Sequence, residues 1–349
     1  MAFLAIDNVK IAGVAAGVPK RIVTTASLRP ISAEYSNEAY SASTGVWEKR
    51  VSDKLTTVDL AVPAAHQLLA DLGWEKSEVD ALVLVTQTPD YICPCSACIL
   101  QDKLGLSKEC LALDIPLGCS GWVYGLATLS SMMFAGHLHK ALLVCGDAKH
   151  WHNFPLDPLF GAASTVTALA YQEGECFRFH CGTDGSGWNA LYVPEGGARA
   201  PFTEASLVPR NFNGQMLAGL QSHMVGMDVF SFGISVPPRS IRKLLAHFAI
   251  PSEHIDYYIF HQANKLMIDA IKKKMKLADS QVPLSMDMFG NTSSASIPLT
   301  MVTKLGGGRT RDLNVLCCGF GIGLSWGTVF LRLARETVLS KLIEVPDGE

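Results

Sequence analysis

Two stretches decide how this chain is built: "LALDIPLGCSG" (residues 111–121) and "VPLSMDMFGNTS" (residues 282–293). Each is an apolar run holding one acid. Each closes on glycine, then a residue of special chemistry, then small polar residues. The special residue is Cys119 in the first stretch and Asn291 in the second, an offset of 172 residues. The surroundings repeat as well. "SEVDALVLVTQTPD" resembles "SEHIDYYIFHQANK", with Asp80 on Asp256 at an offset of 176. "ALLVCGD" resembles "NVLCCGFG", with Gly146 on Gly319 at 173. Three nearly equal offsets in chain order indicate two similar halves, 1–175 and 176–349, related by a pseudo-dyad. No Pro/Gly/Ser-rich linker separates them, so the halves are expected to share a tight interface. Two long units are too few for a solenoid.

Within each half, helical and strand patterns alternate. "TVDLAVPAAHQLLADLG" (57–73) carries apolar residues at helical spacing, and "VDALVLVTQTPD" (79–90) is a short β-rich run between turn signals. This alternation predicts an α/β fold with buried sheets. The N-terminal run is apolar but contains Asp7 and Lys10, so it reads as a first strand and not as a signal peptide. Of the 349 residues, 48% are hydrophobic and 17% charged, which fits a well-buried protein. A net charge of -3 gives no field to recruit nucleic acid. No apolar run approaches the roughly 20 residues that span a membrane. The 10 cysteines, without a secretory signal, suit reduced thiols and a cytoplasmic setting. "CPCSAC" (93–98) lacks a second pair to complete a four-ligand metal site, His150-Trp-His152 reads as a loop, and Cys317-Cys318 as core.

Cys119 by itself is either a small core hydrophobe or a nucleophile. A helix beginning near Ser120 would stabilise its thiolate, and Gly118 and Gly121 permit a sharp turn. His261 stands at the exit of the buried run "IDYYIF", where it must find hydrogen-bond partners; it is a satisfied core histidine or a functional one. Asn291 lies in turn chemistry that leads into an apolar run. The spaced glycines of "CCGFGIGLSWG" match a phosphate loop poorly, because no βαβ unit follows. They suit backbone amides aimed at a developing oxyanion better.

Taken together, "GCSG", "DGSG", "HQAN", "GNTSSASIP" and "GFGIGLSWG", in that order, resemble the 3-oxoacyl-acyl-carrier-protein synthase III (ketosynthase III) family of the thiolase-like superfamily over nearly the whole chain. The resemblance implies a five-layered αβαβα fold of two duplicated halves, usually a homodimer. It implies that Cys119 takes an acyl group from a coenzyme A or carrier-protein thioester. His261 and Asn291 would then hold the thioester oxygen of malonyl-acyl carrier protein during decarboxylation. The amides of Cys119 and Ile322 would form the oxyanion hole. Asn264, Lys265, Gly226 and Cys93 are implied in substrate binding, Cys93 from the dimer partner where the family places a bulky Phe. No metal or redox cofactor is implied.

The chain departs from the family where coenzyme A would be gripped. Ala39 and Ser43 stand for a Trp and an Arg, and Leu266, after Lys265, for a second Arg. The expectation is therefore a carrier-protein-borne starter or an atypical coenzyme A pose, with "KKKMK" (272–276) either a surface for an acidic carrier or a solvated helix face. In the "GAAST" segment Ala162 replaces an acid. Two competitors are weighed against condensation: an acyltransferase passing the Cys119 acyl group to an alcohol or amine, and a noncatalytic carrier-binding protein. No Glu counterpart favours a hydroxymethylglutaryl synthase, and Asn291 with the His-Gln-Ala-Asn run disfavours a thiolase.

Overall fold

A computed structural model describes residues 2–29, 35–148, 156–212 and 214–348; His150 and His152 lie outside the described residues. Eight principal strands carry the fold: β1 (Ala2–Pro19), β2 (Ala81–Val85), β3 (Leu111–Ile115), β4 (Lys140–Asp147), β5 (Ala163–Thr183), β6 (Tyr257–Phe260), β7 (Leu313–Gly321) and β8 (Ser325–Leu333). Eight α-helices accompany them: α1 (Asn37–Thr44), α2 (Thr57–Leu72), α3 (Ser96–Leu104), α4 (Gly121–Gly136), α5 (Gly226–His247), α6 (Lys265–Met275), α7 (Met286–Phe289) and α8 (Ser296–Leu305).

The strand order is β6-β7-β8-β5-β4-β2-β3, with β1 lying along β5. The same pairing rule holds on both sides. β2 runs parallel to β4, which turns back antiparallel into β5. β6 runs parallel to β7, which turns back antiparallel into β8. β5 serves both groups: its first part pairs with β4 and its last part with β8, so it runs unbroken through residue 175. Its partner β1 changes register between Asp7 and Val9, where Asn8 takes a positive φ and its side chain receives the Gly174 amide.

Burial separates the helices into three layers. α2 has a capping box between Thr56 and Asp59, and its apolar stripe, including Val58, Ala61, Ala65 and Leu68, packs with Leu100 and Leu104 of α3 on one face of the first strand group. α5 and α6 cover the far face of the second group through Phe232, Ile241, Ile268 and Ile271. α4 and α8 are different. They are buried nearly all round, as helices in the middle of a protein must be. Trp122, Leu126 and Leu129 of α4 share one core with Ile297, Leu299 and Met301 of α8 and with strands of both groups. The sequence α2/α3, first strands, α4/α8, second strands, α5/α6 is the five-layered αβαβα arrangement. Trp122 shows what this middle layer is worth. It is fully buried, and its indole N–H donates to Thr167 Oγ1 at 3.1 Å. Truncation to Ala at such a site costs about 3–5 kcal/mol.

Candidate active site

Cys119 lies between β3 and the first turn of α4. Ser120 is the N-cap and makes no side-chain cap bond, so the helix N-terminus opens directly beside the thiol. Two close approaches explain the surrounding glycines. A Cβ on Gly118 would fall 2.3 Å from Gln87 Oε1. A Cβ on Gly321 would fall 2.5 Å from Cys119 Cβ and 2.8 Å from its Sγ. The end of β7 therefore lies against the cysteine itself. The loop that follows is pinned: Ser120 and Ser325 share a buried hydroxyl bond of 2.7 Å, and Ser325 donates to the Ile322 carbonyl at 2.7 Å.

Asn291 follows α7 and is fixed through its backbone. Its amide donates to the Leu159 carbonyl at 2.9 Å, and its carbonyl accepts from Gly161 at 3.1 Å. Its side-chain oxygen accepts the Ser293 amide at 2.9 Å, which orients Nδ2 as the outward donor. Cys119, Asn291 and Ile322 line one small cavity with Gln87, Asp147 and Phe160. Of these, sequence reasoning gave no role to Gln87, Asp147 and Phe160. Asp147 is buried at the end of β4 and accepts from the Gln87 amide at 2.7 Å and from Thr86 Oγ1 at 3.1 Å. An acid ending a buried strand was the available signal for it.

His261 is 1% exposed and is not among the residues lining that cavity, but it is tied to two that are. Asn291 Nδ2 reaches the carbonyl of Ala263, and Ser296 Oγ joins His261 Nδ1 at 2.8 Å to the Ser293 carbonyl at 2.8 Å. Burial pushes the imidazole down to about 4, against the opposing effect of a hydrogen bond to Ser293, so the ring is neutral at pH 7. Gln262, its neighbour, is structural: its side chain spans the Phe260 carbonyl and the Ser285 amide.

The remaining expected residues fall at different distances from this centre. Asn264 is the N-cap of α6 and its Oδ1 accepts the Met267 amide at 2.9 Å. Lys265 pairs with Asp269 on the same helix. Gly226 opens α5 with nothing crowding its Cβ position. Cys93 is exposed, beside Ile92, and lines neither the small cavity nor the groove next to it. That groove is large, about 690 Å³, and shares Gln87, Leu191, Ser222 and Ile322 with the cavity; Trp188, Tyr192 and Leu220 extend it. α1 packs on α6, which gathers Ala39, Ser43 and the exposed Leu266 in one region; Ser43 Oγ donates back to the Tyr40 carbonyl.

Comparison with known proteins identifies the family and the fold. The family model described as 3-oxoacyl-[acyl-carrier-protein] synthase III matches residues 113–185, and its C-terminal counterpart matches 245–333. A beta-ketoacyl-[acyl-carrier-protein] synthase III of Symbiobacterium thermophilum is 32% identical over 340 residues, covering 95% of this chain and 99% of its own. A beta-ketoacyl-[acyl-carrier-protein] synthase III 1 of Bacillus cereus is 31% identical over 337 residues, covering 94% of this chain and all of its own. The crystal structure of a 3-oxoacyl-(acyl-carrier protein) synthase from Burkholderia xenovorans LB400 superposes with a TM-score of 0.90 at 32% identity, covering 99% of both chains.

Proposed function

The chain belongs to the 3-oxoacyl-[acyl-carrier-protein] synthase III family, and from that premise we propose that its buried site carries out a decarboxylative Claisen condensation. The observation that carries the reading is the meeting of Cys119, Asn291 and Ile322 around one cavity, with a neutral His261 bonded to its wall.

In the first half-reaction the Cys119 thiolate attacks an acyl thioester. The amides of Cys119 and Ile322 hold the oxyanion, and the donor thiol leaves. The acyl chain occupies the groove beyond Leu191 and Ile322. In the second half-reaction His261 Nε2–H and Asn291 Nδ2–H donate to the thioester oxygen of a malonyl-acyl carrier protein. Carbon dioxide leaves, the enolate they stabilise attacks the acyl-Cys carbonyl, and Cys119 departs as thiolate. The product is a 3-oxoacyl-carrier thioester. The scheme calls on no metal or redox cofactor. It sets the tautomer of His261. Ser296 has one hydroxyl proton, and that proton must go to Nδ1 for Nε2 to be the donor. The Ser293 carbonyl keeps the Ser296 amide in that case.

We infer a carrier protein as the partner and give the starter the same source. Ala39, Ser43 and Leu266 offer a coenzyme A no cation or stacking ring. Within the "KKKMK" run, Lys272 is neutralised by Asp269 and Asp279. Lys273, Lys274 and Lys276 make no ion pair among the described residues, and Lys274 shares a surface groove with Arg239, Arg242 and Lys243. That surface suits an acidic carrier. We also infer a homodimer, through the half-exposed apolar edge strand β3 and through Ile92, which is 99% exposed. Asn264, Lys265 and Gly226 would border the entrance, and Cys93 would reach the partner's groove. No helix among the described residues is long and apolar enough to cross a membrane, and a cytoplasmic location fits ten cysteines that form no disulfide.

Malonyl-carrier protein and a panel of acyl thioesters test the reading. A product two carbons longer than the starter, with one carbon dioxide released, is expected. Transfer of the acyl group without elongation would replace condensation with simple acyl transfer.

A further inference from the structure

The run "CPCSAC" is used neither by the core nor by the condensation chemistry. Cys95 is the N-cap of α3, with φ -64 and ψ 143, and Cys98 lies on the first turn. A spacing of three residues at a helix start puts both side chains on one face. Their sulfurs are 3.2 Å apart, about 1.2 Å beyond a disulfide bond length of ~2.05 Å. Both thiols reach the surface of the single chain: Cys98 is exposed and Cys95 half-buried, whereas Cys145, Cys317 and Cys318 are enclosed. The backbone that carries them is held in place. The amides of Ser96 and Ala97 donate to Asp114, each at 2.7 Å, and Ser96 Oγ accepts the Asp90 amide at 2.9 Å. Among the described residues no group of three or more His, Cys, Asp or Glu side chains is placed to hold a metal ion.

We propose that Cys95 and Cys98 form a reversible dithiol–disulfide site, oxidised by exchange with a low-molecular-weight disulfide such as oxidised glutathione. It does not depend on the condensation reading. Cys95, at the positive end of the α3 dipole, attacks one glutathione sulfur; a mixed disulfide forms and glutathione thiolate leaves. Cys98 then attacks the Cys95 sulfur, the mixed disulfide breaks, and a second glutathione leaves. Two protein thiols are oxidised, one disulfide is reduced, and the two protons end on the two glutathiones. Cys98 is suited to act second, because its contact with the Cys95 sulfur, reinforced by burial and by Asp114, keeps its thiol protonated above the usual range. The site adjoins the catalytic groove, since Asp90, bonded to Ser96, lines it together with Thr88 and Pro89.

The test treats the full chain with oxidised glutathione, blocks remaining thiols with N-ethylmaleimide, and weighs the tryptic peptide 77–103. The expected peptide carries one maleimide, on Cys93, and has lost two hydrogens; dithiothreitol given before the maleimide restores the Cys95 and Cys98 thiols, and the peptide then carries three maleimides. In Cys98→Ser the reaction is expected to stop at a glutathione adduct on Cys95. Cys95→Ser and Cys98→Ser are each expected to keep the wild-type thermal midpoint and the wild-type rate of Cys119 acylation, which separates loss of the site from loss of the fold. Three maleimides on the wild-type peptide, a lasting glutathione adduct on it, a bond involving Cys93, or a covalent dimer on a non-reducing gel would each overturn the proposal.

Discussion

Replacing Gly321 by alanine tests the site at its tightest point. The added methyl would sit 2.5 Å from Cys119 Cβ and 2.8 Å from Sγ. Carbon atoms come to rest at about 3.5–4.0 Å, so the two groups must separate by about 1–1.5 Å. β7 cannot yield easily, because it is bonded along its length to β8 and, at the other edge, to β6. The cysteine is held no less firmly by the Ser120–Ser325 bond. The methyl therefore displaces the thiol. Overpacking of this kind costs about 1–3 kcal/mol of stability. Misplacing a reacting atom by about 1 Å costs about 10²-fold in rate, or about 2.7 kcal/mol of barrier. The assay is single-turnover acylation of Cys119 by an acyl thioester, followed by intact mass, beside a thermal melt. Gly185→Ala is the control: nothing lies within 4 Å of its Cβ position and its φ is ordinary. Acylation of Gly321→Ala within about threefold of wild type would refute the claim that β7 positions the nucleophile.

Three further outcomes follow from the same geometry. Asn291→Ala should lower condensation by about 10²–10³-fold while leaving acylation of Cys119 near wild type, because the lost donor acts on the malonyl thioester alone; equal losses in both half-reactions would contradict that division. His261 should make the protein acid-sensitive. Its unfolded value is 6.5 and its folded value about 4, so the unfolded chain takes the proton first, and stability falls as pH drops from about 6.5 to 4, by about 3 kcal/mol. Urea denaturation at pH 7 and pH 4.5 checks this, and His261→Gln should lose that part of the slope; identical slopes in the two proteins would count against a buried neutral ring. Ile92→Asp tests the inferred homodimer: size-exclusion chromatography with light scattering should give a dimeric mass for the wild type and a monomeric one for the variant, since a two-fold interface would bury two like charges; equal masses would remove Ile92 from the interface.

Much of the architecture was legible because it leaves periodic marks. β2 is a run of five apolar residues, the mark of a strand buried on both faces, and the α2 capping box can be read directly from Thr56 and Asp59. The site was legible as residue types and not as contacts. Cys119 looked like core by burial class, and it is indeed only 8% exposed. Only its surroundings mark it as a site residue, and two of them, Asn291 and the end of β7, come from the other half of the chain. Gln87, Asp147 and Phe160 were missed because each ends or follows an element in an ordinary way, and only the tertiary fold turns them toward one cavity. Lys265 shows what residue type leaves out: an acid four residues later on the same helix face pairs with it.

The second half of the chain contributes a proton arrangement that residue types could not reveal. A buried imidazole that must donate from Nε2 needs an acceptor role for Nδ1, and a carbonyl at that position would enforce the opposite tautomer. Ser296 resolves this because a hydroxyl can serve either way. Its Oγ lies 2.8 Å from Nδ1, receives the Gln262 amide at 3.3 Å and donates to the Ser293 carbonyl at 2.8 Å, so its single proton has to swing from that carbonyl to the ring for Nε2 to donate. The Ser293 carbonyl keeps a backbone amide when it does. Burial then keeps the ring neutral, and neutrality is what the chemistry asks of it: a charged imidazolium would hold the malonyl carboxylate in place and oppose its departure, whereas a neutral donor strengthens its bond only as the thioester oxygen gains charge. Ser296, five residues after Asn291 and the first residue of α8, therefore holds the Nδ1 side of the histidine.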